Sequence, residues 1–230
     1  MRQDREVVES DRRRAGRPTV AILDRARIVE AGLRLLDQSG IEGFTMARLA
    51  AELRVQPSAL YNHVSGKEDV LSGIRERVSD RIDVSEFLLK PWNEAVIGWA
   101  YSYRGAFAAH PPTIAMFAIM PISDARITMA MYEQVVTSFI AGGWPEAKVL
   151  SVIVALESFI LGSALDAIAP FDMLDPGEDR TQFPQLARVT LARSDEIHGA
   201  EIPDDAFNEG LRALVMGLEN RLVQIKAEKS

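Results

Sequence analysis

The sequence predicts an all-α chain, with an N-terminal three-helix domain followed by a larger helical domain. Three observations carry this. Apolar residues recur at three- and four-residue spacings along most of the 230 positions, and the alternation that marks strands is nearly absent. Proline and glycine fall between the apolar runs, at Gly40, Pro57, Pro91, Pro111-Pro112, Gly142-Gly143 and Pro145. Two short helix patterns, Met46–Leu53 and one opening at Pro57, are separated only by Arg54–Gln56, the layout of a helix-turn-helix.

Residues 1–20 form a basic arm. Arg12, Arg13, Arg14 and Arg17 have no acid between them, and such a segment is too polar to pack on a core. The first helix is expected over Asp24–Ser39, with Ile28, Ala31, Leu35 and Leu36 facing inward and Gly40 as its stop. Thr45 supplies a hydroxyl to cap the next helix, which opens at Met46. Leu49, Ala50 and Leu53 give that helix an apolar face, and Ala50 is small where two helices meet. Pro57 suits the first position of the following helix, because the N–H it lacks would be unpaired there. Leu60 and Val64 turn that helix's apolar side inward, leaving Ser58, Ala59, Tyr61, Asn62 and His63 outward.

That outward set is suited to DNA. Short polar groups and a methyl can meet base edges in the major groove, and Asn62 can pair bidentately with adenine. Tyr61, His63 and Lys67 are placed for phosphates, which set register without carrying sequence information. Arg14 and Arg17 in the arm could neutralise phosphates or enter the minor groove. The candidate DNA-binding residues are therefore Arg14, Arg17, Thr45, Met46, Ser58, Ala59, Tyr61, Asn62, His63 and Lys67.

The stretch Arg17-Pro18, helix Ile22–Ser39, Gly40-Ile41-Glu42-Gly43-Phe44-Thr45, Leu49-Ala50, Leu60-Tyr61-Asn62-His63-Val64 and Lys67 resembles the TetR family of tetracycline-repressor-like transcription regulators. The resemblance covers roughly residues 17–82. It implies a homodimer with an N-terminal DNA-binding domain (residues 21–82, helix-turn-helix about 45–64) and an effector-binding and dimerisation domain (residues 83–230). Two positions depart from the family pattern. Arg54 stands where the turn usually has glycine, and a left-handed backbone there costs a non-glycine residue about 1–2 kcal/mol, which favours a differently shaped turn. Gln56 replaces the usual Ser or Thr cap and is a weak one.

Charge is distributed in keeping with this division. The chain carries a net −7, yet residues 1–81 hold 15 basic and 13 acidic side chains while the remainder holds 11 and 20. The acidic bulk should confine DNA binding to the arm and reader. Without cysteine there is no disulfide, thiolate metal site or cysteine nucleophile. The N-terminal residues are charged with no apolar signal core, so a cytoplasmic location is expected.

Further along, Lys67 to about Ile82 reads as a linking helix with Val70, Leu71, Ile74 and Val78 on one side. Helices follow from Pro91 to about His110, from about Ser123 to Ala141, and from Pro145 to about Ala169. A short apolar segment, Thr113–Met120, lies between the first two of these. Residues 170–183 are turn-rich and acidic and read as a loop, before helices at Pro184–Ile197 and about Asp204–Gln224. Val149–Ala169 is apolar enough for a membrane span, but Glu157 and Asp166 interrupt it and basic anchors are lacking, so a buried bundle helix is expected and no membrane association. With residues 204–224, where Leu211, Leu214, Val215, Leu218 and Leu222 recur, residues 145–169 are expected to build a four-helix dimer interface. The two dimerisation helices of the family agree with this. A dimer would read half-sites about 34–36 Å apart, so the double-stranded operator should be near-palindromic.

The second domain's aromatic and methionine residues fit an apolar effector pocket with few polar anchors. Its candidates are Trp99, Tyr103, Phe107, Met116, Phe117, Met120, Tyr132, Ser158, Phe159 and Asp166. The family resemblance places Phe117 at the position of a metal-ligating histidine and Ser158 at that of another pocket histidine. A small apolar or aromatic effector is therefore expected rather than a magnesium–tetracycline chelate, with no metal and no cofactor. His63, His110 and His198 stand in no acid–base or metal spacing, which argues against an enzyme. The expected function is an effector-released repressor in which the 67–82 helix changes angle; the alternative is an architectural DNA-binding protein without an effector, whose second domain would be tightly filled.

Overall fold

A computed structural model describes residues 23–170, 172–197 and 202–228. These are helical, with no strand among them. The helices are α1 (Arg25–Ser39), α2 (Met46–Leu53), α3 (Pro57–Leu60), α4 (Lys67–Ser79), α5 (Trp92–Ala108), α6 (Pro112–Ala118), α7 (Arg126–Ala141), α8 (Glu146–Asp166), α9 (Pro184–Glu196) and α10 (Ile202–Ala227). Single 3-10 turns lie at Ser85–Leu88 and Gly177–Thr181, the second inside the stretch expected to be loop.

Local chemistry accounts for the first helices. Asp24 caps α1 by accepting the Arg27 N–H at 2.8 Å. Gly40 ends it at φ 64°, its N–H bonded to the Leu36 carbonyl at 2.8 Å. A Cβ at Gly43 would lie 2.6 Å from the Ser39 carbonyl oxygen, so the Gly40-x-x-Gly43 step is required twice over. Thr45 caps α2 as expected, accepting the Arg48 N–H at 3.2 Å. Ile28, Leu36, Phe44, Leu49, Leu60 and Ile74 then close the core of α1–α4.

Two expectations about the turn need correcting. Arg54 does adopt the left-handed conformation, φ 56° and ψ 42°, and is the only described non-glycine residue with positive φ. The family turn shape is therefore kept despite the strain, because the Arg54 N–H bonds Ala51 and the Val55 N–H bonds Ala50. The reading helix is also shorter than expected. α3 is one turn with no side-chain cap from Gln56, and Tyr61–His63 form a turn after it rather than more helix.

α4 joins the two ends of the molecule. One side packs on α1 through Val70, Leu71, Ile74 and Val78, all buried. Gly73 allows that approach, since a Cβ there would come within 2.5 Å of Val29 Cγ2. Its other side meets α7, where Glu76 and Ser79 bond to Ile127 and Thr128. The start of α7 is later than the expected Ser123 because its first-turn N–H groups are satisfied by Glu76 from α4 rather than by a local cap. In the second part α5 packs on α8, with α7 and α10 alongside, around a cluster of Phe87, Trp92, Trp99, Phe139 and Trp144. Buried residues form one set running from Ile28 to Ile225, so the two parts share a continuous core.

α8 is half-buried rather than buried. It is long and apolar enough to cross a membrane, and 44% of its most apolar window is buried. Val149, Ile153, Leu156 and Ile160 face inward, while Leu150, Val154 and Leu165 are exposed.

Candidate DNA-reading surface and effector cavity

The reading surface is built on two buried anchors. Leu60 and Val64 are buried, and the Val64 N–H returns to the Leu60 carbonyl at 3.0 Å, closing the turn between them. This leaves Ser58, Tyr61, Asn62 and His63 exposed side by side, none hydrogen-bonded through its side chain to another described residue. Ala59 is half-buried. Met46 is half-buried against the core, so its side chain serves packing more than reading. Thr45 is exposed but its hydroxyl is engaged in the cap. Lys67 is exposed, and its ammonium donates to the Phe44 carbonyl at 3.0 Å and sits 5.5 Å from the centre of the Phe44 ring. Lysine has three donors, so the ammonium keeps others for a phosphate. Arg14 and Arg17 lie outside the described residues.

Behind this surface Asp69 fixes the entry to α4. Its carboxylate accepts the Ser65 N–H at 2.9 Å and the Arg25 guanidinium at 2.8 Å. Partial burial works to raise its pKa, but these two donors prevail and hold it below the ordinary carboxylate value. At the other end, His110 Nδ1 lies 2.8 Å from Asp37 Oδ2 and its Nε2 lies 3.0 Å from Arg81 Nη1. The histidine thus joins the ends of α1, α4 and α5.

An inner cavity of about 160 Å³ lies between α4, α5, α6, α7 and α8. Of the expected pocket residues, Tyr103, Phe107, Phe117, Met120 and Tyr132 line it. Five others do not. Trp99 lies one helical turn before Tyr103 and is absorbed in the aromatic cluster, edge-on to Phe87. Met116 is buried in the core. Ser158 is exposed and donates to the Val154 carbonyl of its own helix at 2.7 Å. Phe159 stacks on Phe207 of α10 with ring centres 5.5 Å apart. Asp166 is exposed and borders a separate depression beside Pro170 and Arg193.

Sequence reading missed the polar wall. Glu157, adjacent to Ser158 and so turned about 100° around the helix, points into the cavity and accepts the Tyr132 hydroxyl at 2.6 Å. Its presence within an apolar run was the available signal. Burial pushes the Glu157 carboxyl above its ordinary value, against the lowering effect of the Tyr132 and Tyr103 hydroxyls. Burial likewise pushes the Tyr103 and Tyr132 phenols upward. The opposite wall is Arg75 of α4, 4% exposed. Its guanidinium donates to the carbonyls of Phe117 (3.0 Å), Met120 (2.8 Å) and Pro121 (3.2 Å) at the end of α6. A larger open groove of about 610 Å³ runs between Phe87–Trp92 and the outer face of α7, but none of its polar lining residues is buried. Convergent buried polar groups make the inner cavity the candidate ligand site.

No group of three or more His, Cys, Asp or Glu side chains suited to a metal ion occurs among the described residues.

Comparisons with known proteins agree with this architecture. Residues 28–74 match the family model described as bacterial regulatory proteins, tetR family, and residues 89–222 match that of the tetracyclin repressor-like C-terminal domain. An HTH-type transcriptional regulator of Saccharopolyspora erythraea is 26% identical, over 87% of this chain and 86% of its own length. The HTH-type transcriptional repressor DrrR1 of Streptomyces coeruleorubidus is 25% identical, over 94% and 84% respectively. The crystal structure of the TetR family protein ActR of Streptomyces coelicolor in complex with (S)-DNPA is similar in fold, with a TM-score of 0.61 and 25% identity over 86% of this chain and 98% of that one.

Proposed function

The chain belongs to the TetR family of bacterial regulatory proteins, and on that premise we propose that it is a homodimeric repressor released from a near-palindromic operator by a small, largely aromatic effector. The observation that carries this reading is the double role of α4. The helix begins at Lys67, beside the exposed Tyr61–His63 turn, and eight and twelve residues later supplies Arg75 and Ser79 to the cavity wall. A ligand that prefers one position of α4 would shift the spacing of two reading turns in a dimer. It can do so only through different affinity for the two shapes.

In this reading residues 21–82 are the DNA-binding domain and residues 83–230 the effector and dimerisation domain, in a cytoplasmic protein. Ser58, Tyr61, Asn62 and His63 contact DNA, with Lys67 on a phosphate. Tyr103, Phe107, Phe117, Met120 and Tyr132 enclose the effector. Phe117 supports an effector other than a metal chelate, since a phenyl ring offers no ligand atom. ActR, crystallised in complex with (S)-DNPA, supports a ligand-binding role for the second domain by analogy.

In this reading the dimer forms through α8 and α10. Of the side chains whose spacing indicated it, Leu211, Val215 and Leu222 are buried within the protomer, while Leu214 and Leu218 are half-buried. The faces left without cover carry Leu150, Val154, Leu165, Met216 and Val223, exposed by 48 to 66%. Gly162 and Gly217 have open space where a Cβ would point, which permits close helix approach by a partner. Large exposed apolar faces of this kind mark an interface.

Selection of bound duplexes from a random pool tests the function. A near-palindrome with half-sites about one helical turn apart is expected; weak, salt-sensitive binding with no motif would favour the architectural reading instead.

A further inference from the structure

Two arginines are buried among the described residues, and they differ in charge balance. Arg104 is paired with Asp204 at 2.5 Å. Arg75 has no carboxylate partner, its hydrogen bonds running to the carbonyls of Phe117, Met120 and Pro121. Its Nε is buried and has no hydrogen-bond partner. Arg75 lines the cavity, its guanidinium carbon 4.9 Å over the centre of the Phe117 ring. A buried cation with an unused donor is costly unless something supplies the opposite charge.

No carboxylate of the lining forms an ion pair with Arg75. Glu157 is the one acid among the described residues of the wall, and its carboxylate is engaged by the Tyr132 hydroxyl at 2.6 Å. Tyr103 and Tyr132 are held as neutral phenols. Apolar side chains, Phe107, Ile114, Met131 and Leu161 among them, make up much of the remainder.

We propose that the effector of this cavity is a planar aromatic acid, whose anionic oxygen, a carboxylate or an ionised enol, pairs with the Arg75 guanidinium while its ring lies among Phe107, Phe117 and Leu161. The inference rests on the effector-cavity reading above and specifies its chemistry. It also gives α4 a trigger. The same guanidinium holds the α6 end by three carbonyls, and an anion competes for it more strongly than a neutral carbonyl does. Drawing Arg75 towards the ligand loosens α6 from α4.

Calorimetric titration of the full-length protein near neutral pH with 1-hydroxy-2-naphthoate and with its neutral counterpart 1-hydroxy-2-naphthamide tests this. The acid should bind at least tenfold more tightly. Arg75→Gln should abolish that preference and Arg75→Lys should retain part of it, with circular dichroism confirming that each variant is folded. If the variants do not fold, the wild-type ratio of acid to amide decides alone. Equal or tighter binding of the amide overturns the inference and leaves the cavity as an effector site. Failure of both compounds to bind also overturns it. The regulator reading is judged separately by operator selection, which uses no ligand, so the two failures are distinguishable.

Discussion

The Glu76 carboxylate of α4 accepts the backbone N–H of Ile127 on both of its oxygens, at 3.0 and 2.9 Å. It also accepts the Thr128 N–H at 3.2 Å. A side chain of the linking helix thus serves as the N-terminal cap of α7, where local sequence offers none. Negative charge at a helix N-terminus is favourable and unpaired N–H groups there are not. Glu76→Ala should therefore cost about 1–2 kcal/mol in denaturant unfolding. Glu76→Gln, which keeps an acceptor without the charge, should cost less.

Gly73 sets how closely α1 and α4 approach. Because a Cβ would stand 2.5 Å from Val29 Cγ2, Gly73→Ala should destabilise the protein by about 1–3 kcal/mol through overpacking. The double variant Gly73→Ala with Val29→Ala should recover part of that loss. Urea unfolding of the three proteins reads this directly.

Arg54 holds a left-handed backbone, φ 56°, at the helix-turn-helix turn. Arg54→Gly relieves strain of about 1–2 kcal/mol, partly offset by the greater freedom of glycine in the unfolded chain. A rise in thermal midpoint is expected, and Arg54→Val should lower it.

Glu157 predicts a pH dependence with a definite sign. Its carboxyl is raised in the folded protein by burial, so its contribution to stability is fully present below the ordinary carboxyl value and is lost as pH rises through the folded value. Each tenfold change in that ionisation is worth about 1.4 kcal/mol. Glu157→Gln should flatten the fall in stability above the ordinary carboxyl range while leaving the acid limb, where Asp69 titrates, unchanged. Chemical denaturation from mildly acid to neutral pH compares the two.

Asn62 and Lys67 should separate by the kind of loss they produce. Asn62→Ala should cost about 1–3 kcal/mol per half-site and relax base preference at one position. Lys67→Ala should weaken all duplexes alike and reduce the salt slope by about one. It should also lower stability, since Lys67 ties α4 to the Phe44 carbonyl. Competition binding with a set of single-base operator variants distinguishes them.

Legibility in the sequence followed the physics of each feature. Periodicity located α1, α4 and α8 because each turns an apolar face to the core at helical spacing, whatever partner covers it, and the Thr45 cap was visible because capping is local. α3 was overestimated: Leu60 and Val64 keep helical spacing although the backbone leaves the helix after one turn. On α10, apolar residues occur on both sides, so spacing could not tell the face buried in the protomer, with Leu211 and Val215, from the exposed face with Met216 and Val223. The cavity's polar wall was missed because Glu157 and Ser158 differ by one step of a helix, and Arg75 reaches carbonyls more than forty residues away.

The central claim is that cavity and reading turn are coupled through α4. The direct measurement is operator affinity, by fluorescence anisotropy of a selected duplex, with and without a ligand whose binding is weakened by Glu157→Gln or Tyr103→Phe. The account predicts loss of operator affinity on ligand saturation in the wild type and a smaller loss in Glu76→Ala, where the carboxylate link between α4 and α7 is removed and only the Ser79–Thr128 hydrogen bond and packing remain. A ligand that fills the cavity and leaves operator affinity unchanged would contradict it.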